Sequence, residues 1–103
     1  VILMHRPLPP PLDALSTSYG SAGAPPPPVY LDVVCEVADT LALLAKRALD
    51  AGVHADAIVL DPGLGFGKTV EQNLTLVRMG ERLIERIGTR PRAGRAAGGV
   101  WSM

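Results

Sequence analysis

Apolar residues in this chain fall into two short unbroken runs and two stretches that repeat every three to four positions. The first run, Val1 to His5, stops at Arg6-Pro7; the second, Ala57 to Leu60, stops at Asp61-Pro62-Gly63. Unbroken runs of this length, closed by proline or glycine, predict strands buried on both faces. Between them, Val33, Val37, Leu41, Leu44 and Ala48 recur at spacings of four, four, three and four. That spacing puts them on one helical stripe. Asp32 is placed to cap this helix, Lys46 and Arg47 suit its negative end, and Gly52 stops it. A second helix is predicted from Thr69, which has capping-box spacing to Gln72, as far as Gly88. Leu74, Val77 and Ile84 form one stripe on it, with Leu76, Leu83 and Ile87 alongside. Gly80 lies inside and costs about 1 kcal/mol relative to alanine.

Residues 6–29 hold most of the prolines, including Pro9 to Pro11 and Pro25 to Pro28, with Ser, Gly and Ala between. Proline removes backbone donors and fixes φ, so an exposed, disordered insertion with polyproline II character is expected there. A lid is the other use of so long a loop. Residues 89–103 are rich in Arg, Gly and Ala with no period, and an irregular tail is expected. The order strand, loop, helix, strand, loop, helix is an α/β pattern with parallel strands, from an open sheet or a (β/α)8 barrel. Two strands complete neither, so apolar faces are left for more chain or a partner to cover.

Composition narrows the functions little. Ten basic and ten acidic residues in 103 cancel, so no net field favours nucleic acid or a membrane surface. No apolar run approaches the roughly 20 residues that span a bilayer. The opening apolar run is too short for a secretion signal, and a single cysteine, Cys35, fits a reducing compartment. A cytoplasmic or organellar protein, not a secreted one, is expected. The chain opens on valine, which suggests a fragment.

The chemistry concentrates in Asp61-Pro62-Gly63-Leu64-Gly65-Phe66-Gly67-Lys68-Thr69, where a strand's C-terminal end passes into a helix. Ligands gather at this place in α/β folds. Gly67-Lys68-Thr69 matches the end of a phosphate-binding P-loop, but the first glycine of that motif would fall at Pro62. The loop from Gly63 is one residue short, and nucleotide binding is disfavoured. The Asp61 carboxylate is placed to accept two hydrogen bonds from a flat heterocycle carrying a ring N–H beside an amino group, as a pterin does. The alternative is that Asp61 merely caps an Asp-Pro-Gly turn.

The stretch Ile58 to Leu76, with its glycine loop followed by Gln72-Asn73-Leu74, resembles the signature of the dihydropteroate synthases. The opening Val-Ile-Leu-Met-His resembles the preceding barrel strand of that family, and Tyr30 to Val37 the start of its next helix. The resemblance covers residues 1–5 and 29–87. It implies part of a (β/α)8 barrel, about two βα units, with residues 1–88 as the partial pterin-binding domain. It also implies a transferase that joins 6-hydroxymethyl-7,8-dihydropterin pyrophosphate to p-aminobenzoate in folate synthesis, releasing pyrophosphate, with Mg²⁺ assisting. By position, Asp61 would bind the pterin ring, Met4 would wall its pocket, and Gly65 and Phe66 would line the p-aminobenzoate side, where sulfonamides compete. The complete enzyme would be a homodimer, with its Mg²⁺ ligands outside this chain.

A fragment of a pterin-dependent methyltransferase and a non-catalytic pterin module are the rival readings; Gly65-Phe66-Gly67-Lys68 favours the synthase. Lys68 is expected to be solvated or at the helix start, since the family's catalytic lysine lies on a later strand. His5 is expected to pack or anchor a loop with its hydrogen bonds satisfied, Asn73 to hold the turn through side-chain bonds, and Cys35 to be inert core. Departures from the family are the proline-rich insert, which puts the pocket rim in doubt, and the tail, which replaces an expected apolar seventh strand. Residues from about Gly88 onward are therefore expected to be out of frame or wrongly spliced.

Overall fold

The computed structural model describes residues 1–9, 12–92 and 95–100, with side chains for 1–9 and 12–88. Strand β1 (Ile2–Met4) leads through the proline-rich loop into helix α1 (Val33–Asp50), which returns to strand β2 (Val59–Asp61). Helices α2 (Val70–Arg78) and α3 (Gly80–Ile87) follow. β1 and β2 pair in parallel, Ile2 with Val59, Leu3 with Leu60 and Met4 with Asp61. This is one βαβ unit followed by further helix, the expected α/β order.

Side chains alternate across this small sheet, and the two faces differ. Leu3 and Leu60 turn toward the helices, where Leu60 is buried among Val34, Val37, Leu41, Leu76 and Leu83. On the other face Ile2 is 69% exposed and Val59 38% exposed. Met4 and Asp61 lie on that same open face by register. The strands are therefore buried on one side only, and the uncovered side carries the predicted site residues.

Helix α1 forms where its stripe predicts and buries Val33, Val37 and Leu41, but Ala45 is buried in place of Leu44 and Ala48, which are only partly covered. Asp32 Oδ1 accepts from Cys35 N–H at 3.1 Å, and Glu36 reaches back to Asp32 N–H at 3.0 Å, a reciprocal box. Gly52, at φ +95°, follows the helix in the left-handed region. The cysteine lies outside the core. Cys35 is half-buried, with Arg82 Nη2 3.7 Å from its sulfur.

Besides the strands, expected to be buried on both faces, and Cys35, expected in the core, three expectations need correction. The second helix is not continuous: it breaks at Met79 (φ −102°, ψ 26°), just before Gly80. Glycine's weak helix propensity makes that the cheapest place to change direction. The bend buries Leu76, Leu83 and Ile87 and leaves Leu74 and Val77 exposed, reversing the order of the two stripes. Residues 89–103 were expected to be irregular, yet β3 (Thr89–Arg92) and β4 (Arg95–Val100) pair antiparallel. Backbone hydrogen bonds hold such a ribbon whether or not side chains alternate. Residues 10–11, 93–94 and 101–103, which fall in the expected polyproline and tail segments, lie outside the described residues.

The third correction concerns the insertion. Residues 12–30 fold back across the glycine turn instead of projecting as a disordered loop. Leu15 makes a bridge to Phe66, Ser16 N–H donates to Gly65 O at 3.1 Å, and Gly67 N–H donates to Ala14 O at 3.2 Å. Proline's lost donors are no obstacle here, because the glycine turn supplies the partners.

Candidate functional site

Asp61 is the last residue of β2, and its peptide oxygen accepts from His5 N–H at 3.0 Å, extending the strand pairing by one step. Its carboxylate Oδ1 accepts from Gly63 N–H at 2.8 Å. This is the Asx turn that Asp-Pro-Gly chemistry favours. Oδ2 has no hydrogen-bond partner among the described residues. The two readings of Asp61 are therefore compatible: one oxygen closes the turn and the other stays available. Met4 is half-buried directly across the strand pair from Asp61.

The turn itself needs its glycines. Gly63 has φ +74°, and a Cβ there would stand 2.1 Å from His5 O. Gly67 has φ +62°, with Asp13 Oδ2 only 3.2 Å from where its Cβ would be. Phe66 N–H donates to Gly63 O at 3.2 Å, and Asn73 Oδ1 accepts from Gly65 N–H at 3.0 Å. Asn73 thus holds the turn as expected, and its Nδ2 also donates to Ser16 Oγ at 2.6 Å. At the end of the turn, Thr69 and Gln72 complete the predicted capping box, with bonds of 2.7 and 3.2 Å.

Lys68 stands at the helix start, directly before the Thr69 cap, as one of its two expectations had it, but it is fully buried, not solvated. Its ammonium donates to Gly63 O at 2.9 Å, Phe66 O at 3.1 Å and His5 O at 3.4 Å. The physical reason is the bend of the turn: it gathers three carbonyls around one point, and an ammonium has three donors to match. Burial pushes its pKa down to about 8, against the opposing pull of Asp61 and Asp13. All three donors being spent on backbone, the P-loop resemblance of Gly67-Lys68-Thr69 carries no phosphate-binding meaning here.

Around the turn stand residues that sequence reasoning did not single out. Arg6 forks onto Asp13 through Nε and Nη2, at 2.9 and 2.8 Å, and its guanidinium carbon lies 4.8 Å from the Phe66 ring centre. The Arg6 guanidinium holds the buried Asp13 carboxyl below the usual carboxylate range. Tyr30 donates its hydroxyl to Gly67 O at 2.9 Å, and burial raises its pKa to about 12. His5 is buried against the Tyr30 ring at 6.1 Å, but its Nδ1 has no partner among the described residues, so it packs without being satisfied there. Burial, with Lys68 nearby, lowers its pKa to about 4. Pairings between residues 6–30 and 61–73 leave no periodic trace, and no spacing rule would have found them. The structure brings Asp61 and Met4 together across the strands, and Gly65 and Phe66 onto the tip of the same turn.

A family model described as pterin binding enzyme matches residues 16–91. The chain belongs to the pterin-binding enzyme family. That match takes in most of the proline-rich segment and the start of the expected tail. Dihydropteroate synthase of Streptococcus pyogenes is 48% identical over 50 residues, which are 48% of this chain and 19% of that protein. The Neisseria meningitidis serogroup C enzyme is 44% identical over 61 residues, 59% of this chain and 22% of that one. Among solved structures, dihydropteroate synthase from Thermus thermophilus in complex with 4-aminobenzoate superposes with a TM-score of 0.60 at 36% identity. That match covers 88% of this chain and 31% of the other. The same enzyme in complex with 6HMPPP gives 0.57 at 36% identity, over 84% of this chain and 27% of the other.

The fold of this pterin-binding family member is accordingly part of a (β/α)8 barrel. The chain spans 19 to 22% of the length of the curated relatives it matches. The open Ile2, Met4, Val59 and Asp61 face is the side that a closed barrel would turn inward. Among the described residues no helix is long and apolar enough to cross a membrane.

Proposed function

We propose that this chain forms one section of the substrate rim of a dihydropteroate synthase. The enzyme joins 6-hydroxymethyl-7,8-dihydropterin pyrophosphate to p-aminobenzoate and releases pyrophosphate. The observation that carries the reading is the Asp61 carboxylate at the C-terminal end of β2, on the open face, with Oδ2 unpartnered among the described residues. Support comes from the relatives, which are dihydropteroate synthases, and from Thermus structures solved with 6HMPPP and with 4-aminobenzoate.

Residues 1–88 form the partial pterin-binding domain in this reading. Asp61 Oδ2, with the spare lone pair of Oδ1, accepts the ring N–H and exocyclic amino group of the pterin in a charge-assisted pair. As pyrophosphate departs, positive charge grows on the pterin, and a fixed carboxylate beside the ring stabilises it. Met4, across the strand pair, supplies an apolar wall for the ring. Gly65 and Phe66 at the tip of the turn flank the p-aminobenzoate side, where a sulfonamide would compete.

The reaction in this family is assisted by Mg²⁺. Among the described residues no group of three or more His, Cys, Asp or Glu is arranged to hold a metal. Asp61 and Asp13 are the carboxylates at the turn, and Oδ1 of Asp61 and both oxygens of Asp13 are already bonded, to Gly63 N–H and to Arg6. The described residues do not make up a Mg²⁺ site, and no step here runs through one. The complete enzyme is expected to be a homodimer of the cytoplasm or, in a eukaryote, an organelle.

The test is a graft. Residues 1–88 would replace the matching stretch of the Streptococcus pyogenes dihydropteroate synthase. Pyrophosphate release that depends on both p-aminobenzoate and the pterin substrate is the expected result. A folded graft that binds neither substrate would defeat the reading.

A further inference from the structure

Three interior groups of the turn are left over by the proposed reaction: His5, Tyr30 and Lys68. Lys68 is the one whose geometry goes furthest. It is completely buried, and its three donors reach three carbonyls on two different segments: His5 at the end of β1, and Gly63 and Phe66 within the turn. A Cβ on Gly63 would lie 3.2 Å from Lys68 Nζ, so the backbone is closed tightly around the ammonium. Gly63 is also bonded to Asp61 Oδ1 through its N–H, and Phe66 bears the ring under Arg6.

We propose that Lys68 is a positioning residue, whose ammonium holds the turn in the one shape that aims the Asp61 carboxylate at the pterin and the Phe66 ring at the p-aminobenzoate. The functional half of this rests on the roles given to Asp61 and Phe66 above; the lock itself does not. A neutral amine donates at most two hydrogen bonds, so deprotonation strips one carbonyl of its donor. The charged groups facing Lys68 are Asp61 from β2 and Asp13 and Arg6 from the proline-rich loop, with His5 at the end of β1. Neither carboxylate bonds to Nζ, so the carbonyls alone bear the change.

Nuclear magnetic resonance of the full chain tests the lock without any ligand. In the native sequence the Lys68 ε-methylene and ammonium signals should titrate near pH 8, and the Gly63, Gly65 and Phe66 amides should move with the same midpoint. Turn amides that stay still while Lys68 titrates, at whatever midpoint, would overturn the proposal. Lys68→Met should displace those amides and the Asp61 carboxyl carbon at neutral pH and abolish the titration, while the Val37 and Leu41 methyls keep their shifts. Unchanged turn amides and Asp61 carboxyl in that variant would also overturn it. If Lys68→Met does not fold, the native titration decides alone. Pterin affinity is measured separately through Asp61→Asn, so failure of the substrate reading leaves the result for Lys68 standing.

Discussion

Replacing Gly63 by alanine should be far more damaging than the same change two residues later. At Gly63 the backbone sits at φ +74°, where an L side chain costs about 1–2 kcal/mol. The new methyl would also stand 2.1 Å from His5 O, a backbone atom that cannot swing aside. Opening that contact to a normal separation takes more than about 1 Å of backbone movement, and overpacking of this kind costs about 1–3 kcal/mol. The same carbonyl accepts from Lys68, and a weakened bond to a buried charge adds about 1.5 kcal/mol or more. Together these put Gly63→Ala at about 4–6 kcal/mol, a large part of the roughly 5–15 kcal/mol typical of a domain. Gly65 has φ +90° but nothing within 4 Å of its Cβ position, so Gly65→Ala carries only the conformational cost, about 1–2 kcal/mol. Urea unfolding followed by circular dichroism would compare the two. Equal losses for both variants would refute the close approach of Gly63 to His5.

Other expectations follow from single side chains. His5 is buried with its pKa lowered from 6.5 to about 4, so the folded chain holds fewer protons than the unfolded one between those two values. Its contribution to stability is intact above about 6.5 and falls as pH drops toward 4, by up to about 3 kcal/mol, and His5→Phe should flatten that part of the unfolding profile. Asp13→Ala should release the proline-rich segment by freeing Arg6, costing about 1.5–3 kcal/mol, the worth of a charged hydrogen bond, and speeding proteolysis within residues 12–30. Tyr30→Phe removes the bond to Gly67 O and should cost about 1 kcal/mol in the same urea assay, with little change in proteolysis.

How far the sequence could be read follows from how local each feature is. α1 was legible because Val33, Val37 and Leu41 repeat on one face and Asp32 caps the first turn. Asp61 could be noticed because its place between an apolar strand and a glycine-rich turn is local in the sequence, but turn capping explained it equally well and only the family resemblance favoured the pterin. Lys68 was misread because only the folded turn shows three carbonyls converging on one point; from the sequence it is one more charged residue near a helix start. The loop was misread for a related reason. Proline content argues against regular structure, but Leu15, Ser16 and Ala14 find their partners far along the chain, on the glycine turn. The break at Met79 turns on which stripe can reach α1, a choice that Gly80 permits but does not dictate.

Calorimetric titration of 6-hydroxymethylpterin into the grafted synthase, with Asp61 intact and with Asp61→Asn, tests the central claim most directly. The amide sets a donor against the pterin's own donors and removes the charge, so affinity should fall by about tenfold to a hundredfold, the worth of one charge-assisted pair. Equal affinity for the two proteins would show that the carboxylate only closes its own turn.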